Sequence, residues 1–356
     1  MLVTPSKLFI SGILLQYIPL FFTDSRIFEY IHHDEYFLLV SLYTSTIIPF
    51  YFGSLMVNHR IERQTRFILI PRNNNVIFFI ILIFAIFLLY IVFGSIPIYS
   101  LLLGLQNIGE INDQNSQAGG LMGVSLILTL FLIMVSPLLS FKNKLSSGMF
   151  YILLFLVMIF TAKRQLIFIF LFTYILASSR LKLTFQHLSL FFLGIMLFLY
   201  IGWLRVGTDA LEHLLFYISF PIINTADLIT NDMIFFFSFD FIDLSLPSIF
   251  RSTEMTASSY GYVFPSAGLG GFGKLIIYSG LFGMWLYIGI VSILVHYMYY
   301  RAKRNDFYLI LYSFSAWPLF TLPFYPRFNN FLFYILPVVL FCIYYSFRSS
   351  QKRDSF

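Results

Sequence analysis

Ten long apolar runs occupy most of this chain and restrict it to very few folds. They are Leu8–Phe22, Tyr36–Val57, Val76–Ile98, Leu121–Phe141, Leu145–Phe160, Leu166–Ala177, His187–Trp203, Phe272–His296, Phe307–Leu322 and Phe331–Phe347. A bilayer core about 30 Å thick needs about 20 helical residues per crossing, whereas a closed barrel would alternate apolar and polar residues along roughly ten-residue strands. These runs are continuous, so they predict an all-α integral membrane protein, with about ten transmembrane helices in a single polytopic domain over residues 1–356. Hydrophobic residues make up 59% of the chain and charged residues 11%, too little polar surface to coat a water-soluble globule. The first run follows Lys7 and shows no small-residue cleavage signature before Asp24, so it reads as a retained anchor. The single cysteine, Cys342, falls in the last run and excludes a disulfide within the chain.

Basic residues set the expected orientation. With the N-terminus inside, the cytoplasmic segments hold Lys7, Arg60, Arg63, Arg66, Arg72, Lys142, Lys144, Arg180, Lys182, Arg301, Lys303, Arg304, Arg348, Lys352 and Arg353. These are 15 of the 22 Lys and Arg, as the positive-inside rule requires, and both termini are then cytoplasmic. The net charge of +6 is accounted for by this signal and gives no reason to invoke nucleic acid. The outer segments hold 13 of the 16 acids and seven basic residues, Arg26, Lys163, Arg164, Arg205, Arg251, Lys274 and Arg327.

Those seven are the informative ones. Fifteen residues separate Arg164 from Arg180, and as a helix they rise only about 22 Å. Lys163 and Arg164 are therefore expected below the outer surface, where a cation costs about 2.5–3.5 kcal/mol unless it snorkels, pairs or faces a wet cavity. Two outer loops stand out. One, about 99–120, carries the polar run Glu110–Gln117; the other, about 204–271, is the only segment long enough to build a site outside the bundle. Within it, Leu211, Leu214, Leu215 and Ile218 share one helical face opposite Asp209, Glu212 and His213, which predicts a helix lying in the outer interface and ending at Pro221.

Gly268, Gly270, Gly271 and Gly273 superficially resemble a phosphate loop, but no strand precedes them, and close helix packing or a bent loop is the expected use, as for Gly119 and Gly123. No Cys or His spacing implies a metal, and the middles of the spans lack the Asp, Glu, Lys or Arg that ion-coupled carriers place near midplane. His32 and His33, beside Asp34 and Glu35, read as solvated loop residues.

The strings TAKRQ at Thr161–Gln165, WLRVG at Trp203–Gly207 and PSAGLGGFGKLIIYSGLFG at Pro265–Gly283, set in about ten spans with one large outer loop, resemble the oligosaccharide repeat-unit (O-antigen) polymerases of the Wzy type. Topology carries more of the likeness than any string. The resemblance implies a bacterial inner-membrane glycosyltransferase, similar in architecture to the GT-C class, acting at the periplasmic face in lipopolysaccharide biosynthesis. It would move a growing glycan from undecaprenyl diphosphate onto the next lipid-linked repeat unit, without cofactor or metal. Membrane lipids, the lipid-linked glycans and a chain-length regulator are the implied partners. The O-antigen ligase and a lipid-linked glycan flippase are the alternatives.

For that chemistry, guanidinium forks would stabilise the charge gathering on a diphosphate leaving group. Arg164 and Arg205, with Lys163, are the expected ligands of the donor diphosphate; Arg251 and Arg327 would hold the second diphosphate or the glycan. An acceptor hydroxyl needs a base, for which Glu254, Asp209 and His213 are candidates in that order. Tyr217, Tyr260 and Tyr262 are candidates to stack on sugar faces or to anchor the loop at the interface.

Overall fold

The computed structural model describes residues 2–22, 26–29, 31–57, 75–93, 119–160, 165–206, 212, 215, 218–220, 222–225, 237–239, 242, 271–323, 336–340 and 342. Among them the chain is helical, without β-strands; one isolated bridge joins Leu2 to Lys182. Ten α-helices are described: α1 Pro5–Leu15, α2 His33–Thr44, α3 Ile47–Leu55, α4 Asn75–Phe93, α5 Gly119–Val135, α6 Lys144–Phe160, α7 Gln165–Ser178, α8 Phe185–Val206, α9 Gly271–Ala302 and α10 Asp306–Phe320. They coincide with the first nine apolar runs, the second run being divided between α2 and α3 at Ser45–Thr46. Residues 336–340 of the tenth run are also helical. Helix α2 with α3, spanning His33–Leu55 (23 residues), and α9 (32 residues) are long and apolar enough to cross a membrane. Among the described residues α4 has 19 residues and α8 has 22, and α1, α5, α6, α7 and α10 have 11–17 each.

Local chemistry fixes several ends. Thr4 caps α1 by accepting from the Lys7 amide at 3.3 Å, with Pro5 at the first helical position. Asn305 caps α10 through a 2.9 Å bond from the Phe307 amide. Helix α7 closes in a Schellman arrangement, with the Leu181 amide donating to the Leu176 carbonyl at 2.9 Å and the Arg180 amide to that of Ala177 at 3.3 Å. Arg180 and Leu181 adopt φ of 50° and 67°, a region usually left to glycine and costing other residues about 1–2 kcal/mol each. Burial of Leu181 and a 3.0 Å bond from the Val3 amide to its carbonyl offset that cost.

Several helix pairs run antiparallel. Asn75, at the start of α4, donates its side-chain amide to the Ser140 carbonyl beyond the end of α5, and Tyr151 of α6 meets Tyr174 of α7 edge-on at 5.4 Å. Arg180, after α7, pairs with Asp306 at the start of α10 at 3.4 Å. Lys7, Lys144, Arg180, Lys182, Arg301, Lys303 and Arg304 consequently belong to one end of the bundle.

Two apolar cores share α7 and α10 as a common wall. The first joins α1, α2, α3 and α9 to residues 215, 222 and 223 of the long loop. The second joins α4, α5, α6 and residues 336 and 340. Helix α10 turns Leu309, Tyr312, Ala316 and Leu319 to the first core and Ile310, Leu311 and Phe314 to the second. The outward faces are also apolar: Ile77, Ile80, Ile83, Phe84, Phe87 and Tyr90 of α4 are all exposed.

Candidate functional site

The cations singled out from the sequence enter this fold at helix ends. Lys163 and Arg164 immediately precede α7, Arg205 is the penultimate residue of α8, and Arg327 follows α10. The start of α7 lies beside the end of α10: Phe168 stacks on Trp317 at 4.6 Å with an interplanar angle of 10°, and Phe172 reaches Phe320 at 6.1 Å. Helix α8 runs opposite to α7, with Phe191 edge-on to Phe172 at 4.6 Å. Further along, a Cβ added to Gly194 would stand 2.7 Å from Leu171 and 3.9 Å from Phe168, so α8 climbs toward the start of α7. The final turn of α8, which carries Arg205, therefore finishes at the end where α7 begins and α10 stops. That end is opposite the one that gathers Lys7, Arg180 and Arg301.

Lys163, Arg164, Asp209, His213, Arg251, Glu254 and Arg327 lie outside the described residues, as do Tyr217, Tyr260 and Tyr262, and Arg205 is described in its helical backbone only. The structure thus brings together the helix ends that flank Lys163, Arg164, Arg205 and Arg327, and describes no side-chain geometry for them.

At the same end the structure shows a polar assembly that sequence reasoning missed. Helix α9 is broken at Gly280, whose φ of 68° and ψ of 179° are open essentially to glycine alone. A break frees carbonyls of the preceding turn, and the Ser279 carbonyl accepts from the Ser238 amide of the long loop at 3.3 Å. Gly283 keeps the approach open: a Cβ there would meet the Ser279 Cβ at 2.3 Å and the Ser238 carbonyl oxygen at 3.1 Å.

A second anchor lies earlier in the same loop. Thr225 is fully buried, its Oγ1 accepting from the Tyr43 hydroxyl at 3.5 Å. A Cβ on Gly273 would fall 2.0 Å from that Oγ1, so this glycine serves close packing, as expected. At Gly123 no atom of the described residues stands within 4 Å of a Cβ. Leu215, Ile218, Ile222 and Ile223 are buried, so these loop residues belong to the protein interior rather than to a helix lying in the outer interface. Helical backbone also resumes at 222–225, beyond the expected stop at Pro221. Of the expected apolar face, Leu215 and Ile218 are described and both are buried, Leu215 within the core of α1, α2, α3 and α9, while Leu211 and Leu214 lie outside the described residues.

Gln16 is a further buried polar group. It follows α1, whose Gly12 lies so close to α10 that a Cβ would fall 2.0 Å from the Phe320 carbonyl oxygen, and Gln16 sits about one turn further toward the end where α10 stops. Its carbonyl accepts from the Tyr36 hydroxyl at 3.0 Å, while both atoms of its fully buried side-chain amide lack a partner among the described residues. An unpaired buried amide costs about 1–3 kcal/mol and calls for an explanation.

No family model, no curated protein and no solved structure matches the chain.

Proposed function

We propose that this is a many-span, inner-membrane glycosyltransferase that polymerises undecaprenyl-diphosphate-linked repeat units at its outer face. The observation that carries the reading is the convergence of the start of α7, the end of α8 and the end of α10, the helix ends adjoining Lys163, Arg164, Arg205 and Arg327, opposite the end that collects the topogenic cations. Exposed isoleucine and phenylalanine along α4 suit an acyl environment.

In the proposed reaction the anomeric carbon of the growing chain loses its bond to the lipid diphosphate and gains one to the acceptor hydroxyl. The acceptor proton passes to a base, with Glu254, Asp209 and His213 as candidates, and the diphosphate departs with its added charge held by Arg164, Arg205 and Lys163. Arg251 and Arg327 would position the second lipid-linked unit. The two docked segments, at Thr225 and Ser238, keep the long loop seated on α9 next to this mouth.

The test is deletion of the chain followed by gel analysis of surface polysaccharide. A single repeat attached to core, with the ladder lost, supports polymerisation; loss of every attached repeat points to ligase or flippase. Arg164→Ala and Arg205→Ala should each abolish chain growth while leaving the protein in the membrane. Near-normal ladders from both would overturn the assignment.

A further inference from the structure

The opposite end of the bundle is more ordered than a topogenic signal requires. Positive-inside orientation depends on the number of cations in a loop and on no particular arrangement of them. Here the arrangement is specific. The Arg301 guanidinium lies over the Tyr297 ring at 4.5 Å and the Tyr308 ring at 5.5 Å, and the Lys303 ammonium over Tyr299 at 4.7 Å and Tyr300 at 5.1 Å. Arg304 follows in a tight turn, its amide donating to the Arg301 carbonyl at 3.1 Å. Asp306, at the start of α10, is engaged by Arg180 from the neighbouring loop at 3.4 Å.

An apolar track leads into this cluster. Leu286, Ile290 and Leu294, spaced four apart on α9 and exposed, are followed on the same face by exposed Tyr297 and then by Arg301. From Leu286 to Leu294 the track rises about 12 Å, close to the depth of one hydrocarbon leaflet, about 15 Å. It presents hydrocarbon, then aromatic rings, then oriented cations, in the order in which a phospholipid presents acyl chain, glycerol backbone and phosphate.

We propose that this face of α9, with the start of α10, is a docking site for one anionic phospholipid, its acyl chain along Leu286–Leu294 and its phosphate between Arg301, Lys303 and Arg304. The proposal rests on the membrane reading of the chain, and charge complementarity selects an anionic headgroup. An adjacent cation contributes about fivefold to binding at an anionic surface.

The experiment uses the full chain purified in neutral detergent, titrated with dioleoyl phosphatidylglycerol or dioleoyl phosphatidylcholine and read by native mass spectrometry and thermal melting. The expected result is a preference of tenfold or more for phosphatidylglycerol, accompanied by a rise in melting temperature. Lys303→Gln with Arg304→Gln, both exposed positions, should weaken phosphatidylglycerol on the order of twentyfold at unchanged melting temperature without lipid; adding Arg301→Gln should remove the preference. Lys142→Gln with Lys144→Gln, basic residues of the same end outside the cluster, should leave it intact. Equal retention of the two lipids overturns the proposal. So does an equal loss in the Lys142/Lys144 variant, which would reduce the effect to bulk charge, or displacement by inorganic phosphate, which would indicate a small-anion site. Release of the chain from membranes by alkaline carbonate would overturn the membrane reading itself, independently of lipid preference.

Discussion

The two cores on either side of α7 and α10 use their buried polar groups in different ways. In the core of α4, α5 and α6, most buried hydroxyls turn back to their own helix: Thr129 donates to Ser125 at 2.8 Å, Ser136 to Ile133 at 2.8 Å, and Thr173 of the shared α7 to Ile169 at 2.6 Å. In the core of α1, α2, α3 and α9 Thr46 and Ser219 also turn back, but several other polar groups bridge elements. Tyr17 meets Thr44 at 2.6 Å, Tyr43 reaches Thr225, Trp285 donates to Ser45 at 3.0 Å, Ser292 donates to the Phe50 carbonyl, and Ser6 lies 3.3 Å from His296 Nε2. A hydroxyl bonded to its own helix needs nothing from its neighbours and leaves them free to shift; one bonded across elements fixes their register. The apolar half is a packed wall, and the other half is a positioned frame to which Thr225 and Ser238 are bonded.

The largest effects should break this comparison by packing alone. Phe150 is fully buried among Phe79, Phe141 and Tyr151, and Phe150→Ala should cost about 3–5 kcal/mol, read as a fall in melting temperature in detergent. Next come the glycines. Gly12→Ala drives a Cβ into the Phe320 carbonyl, a backbone atom that cannot swing aside, and should cost about 1–3 kcal/mol. Gly123→Ala on α5 meets nothing within 4 Å among the described residues and should gain up to about 1 kcal/mol from helix propensity. Equal effects at the two glycines would remove the distinction between a frame held at close contacts and a wall with slack.

Much of this division is legible in the sequence, and the reasons for the rest are physical. Long apolar runs report helices because burial and backbone satisfaction both demand them, and nine runs coincide with described helices. The partner of an apolar face is not encoded in its period, so Leu215 and Ile218 read as lipid-facing although they pack inside the protein. Gly280 looks like any glycine in an apolar run; only the Ser238 amide, supplied from a distant part of the chain, reveals that the helix is broken there. The buried amide of Gln16 was invisible for the same reason, since it lies at the edge of the first run and its cost appears only once its surroundings are known. The cationic candidates follow from charge against topology, which names residues but gives no side-chain geometry.

Smaller changes sharpen the comparison inside the frame. Tyr43→Phe removes the bond to Thr225 and should cost about 1 kcal/mol, with faster protease cleavage in the 204–271 loop than in the parent. Gln16→Leu removes an amide that has no partner among the described residues and should stabilise the chain by about 1 kcal/mol or more. If Gln16→Leu melts higher yet loses chain growth, the amide is reserved for a ligand at the outer mouth; a more stable variant with full activity makes it a structural liability only.

The finest test concerns the shared wall. Asp306 opens α10 at the basic end, where burial raises its carboxyl above the usual range and the Arg180 guanidinium, itself largely exposed, lowers it by less. Its Oδ2 is buried and unpartnered among the described residues. A carboxyl raised in the folded state favours folding most when protonated, so its contribution is full below about pH 4, the unfolded value, and declines as pH rises through the folded one. The melting temperature of the parent minus that of Asp306→Asn should therefore fall as pH is raised from acid toward neutrality. A difference that grows over the same interval would mean that pairing with Arg180 outweighs burial, and that the ion pair, rather than the apolar surroundings, joins α7 to α10 at this end.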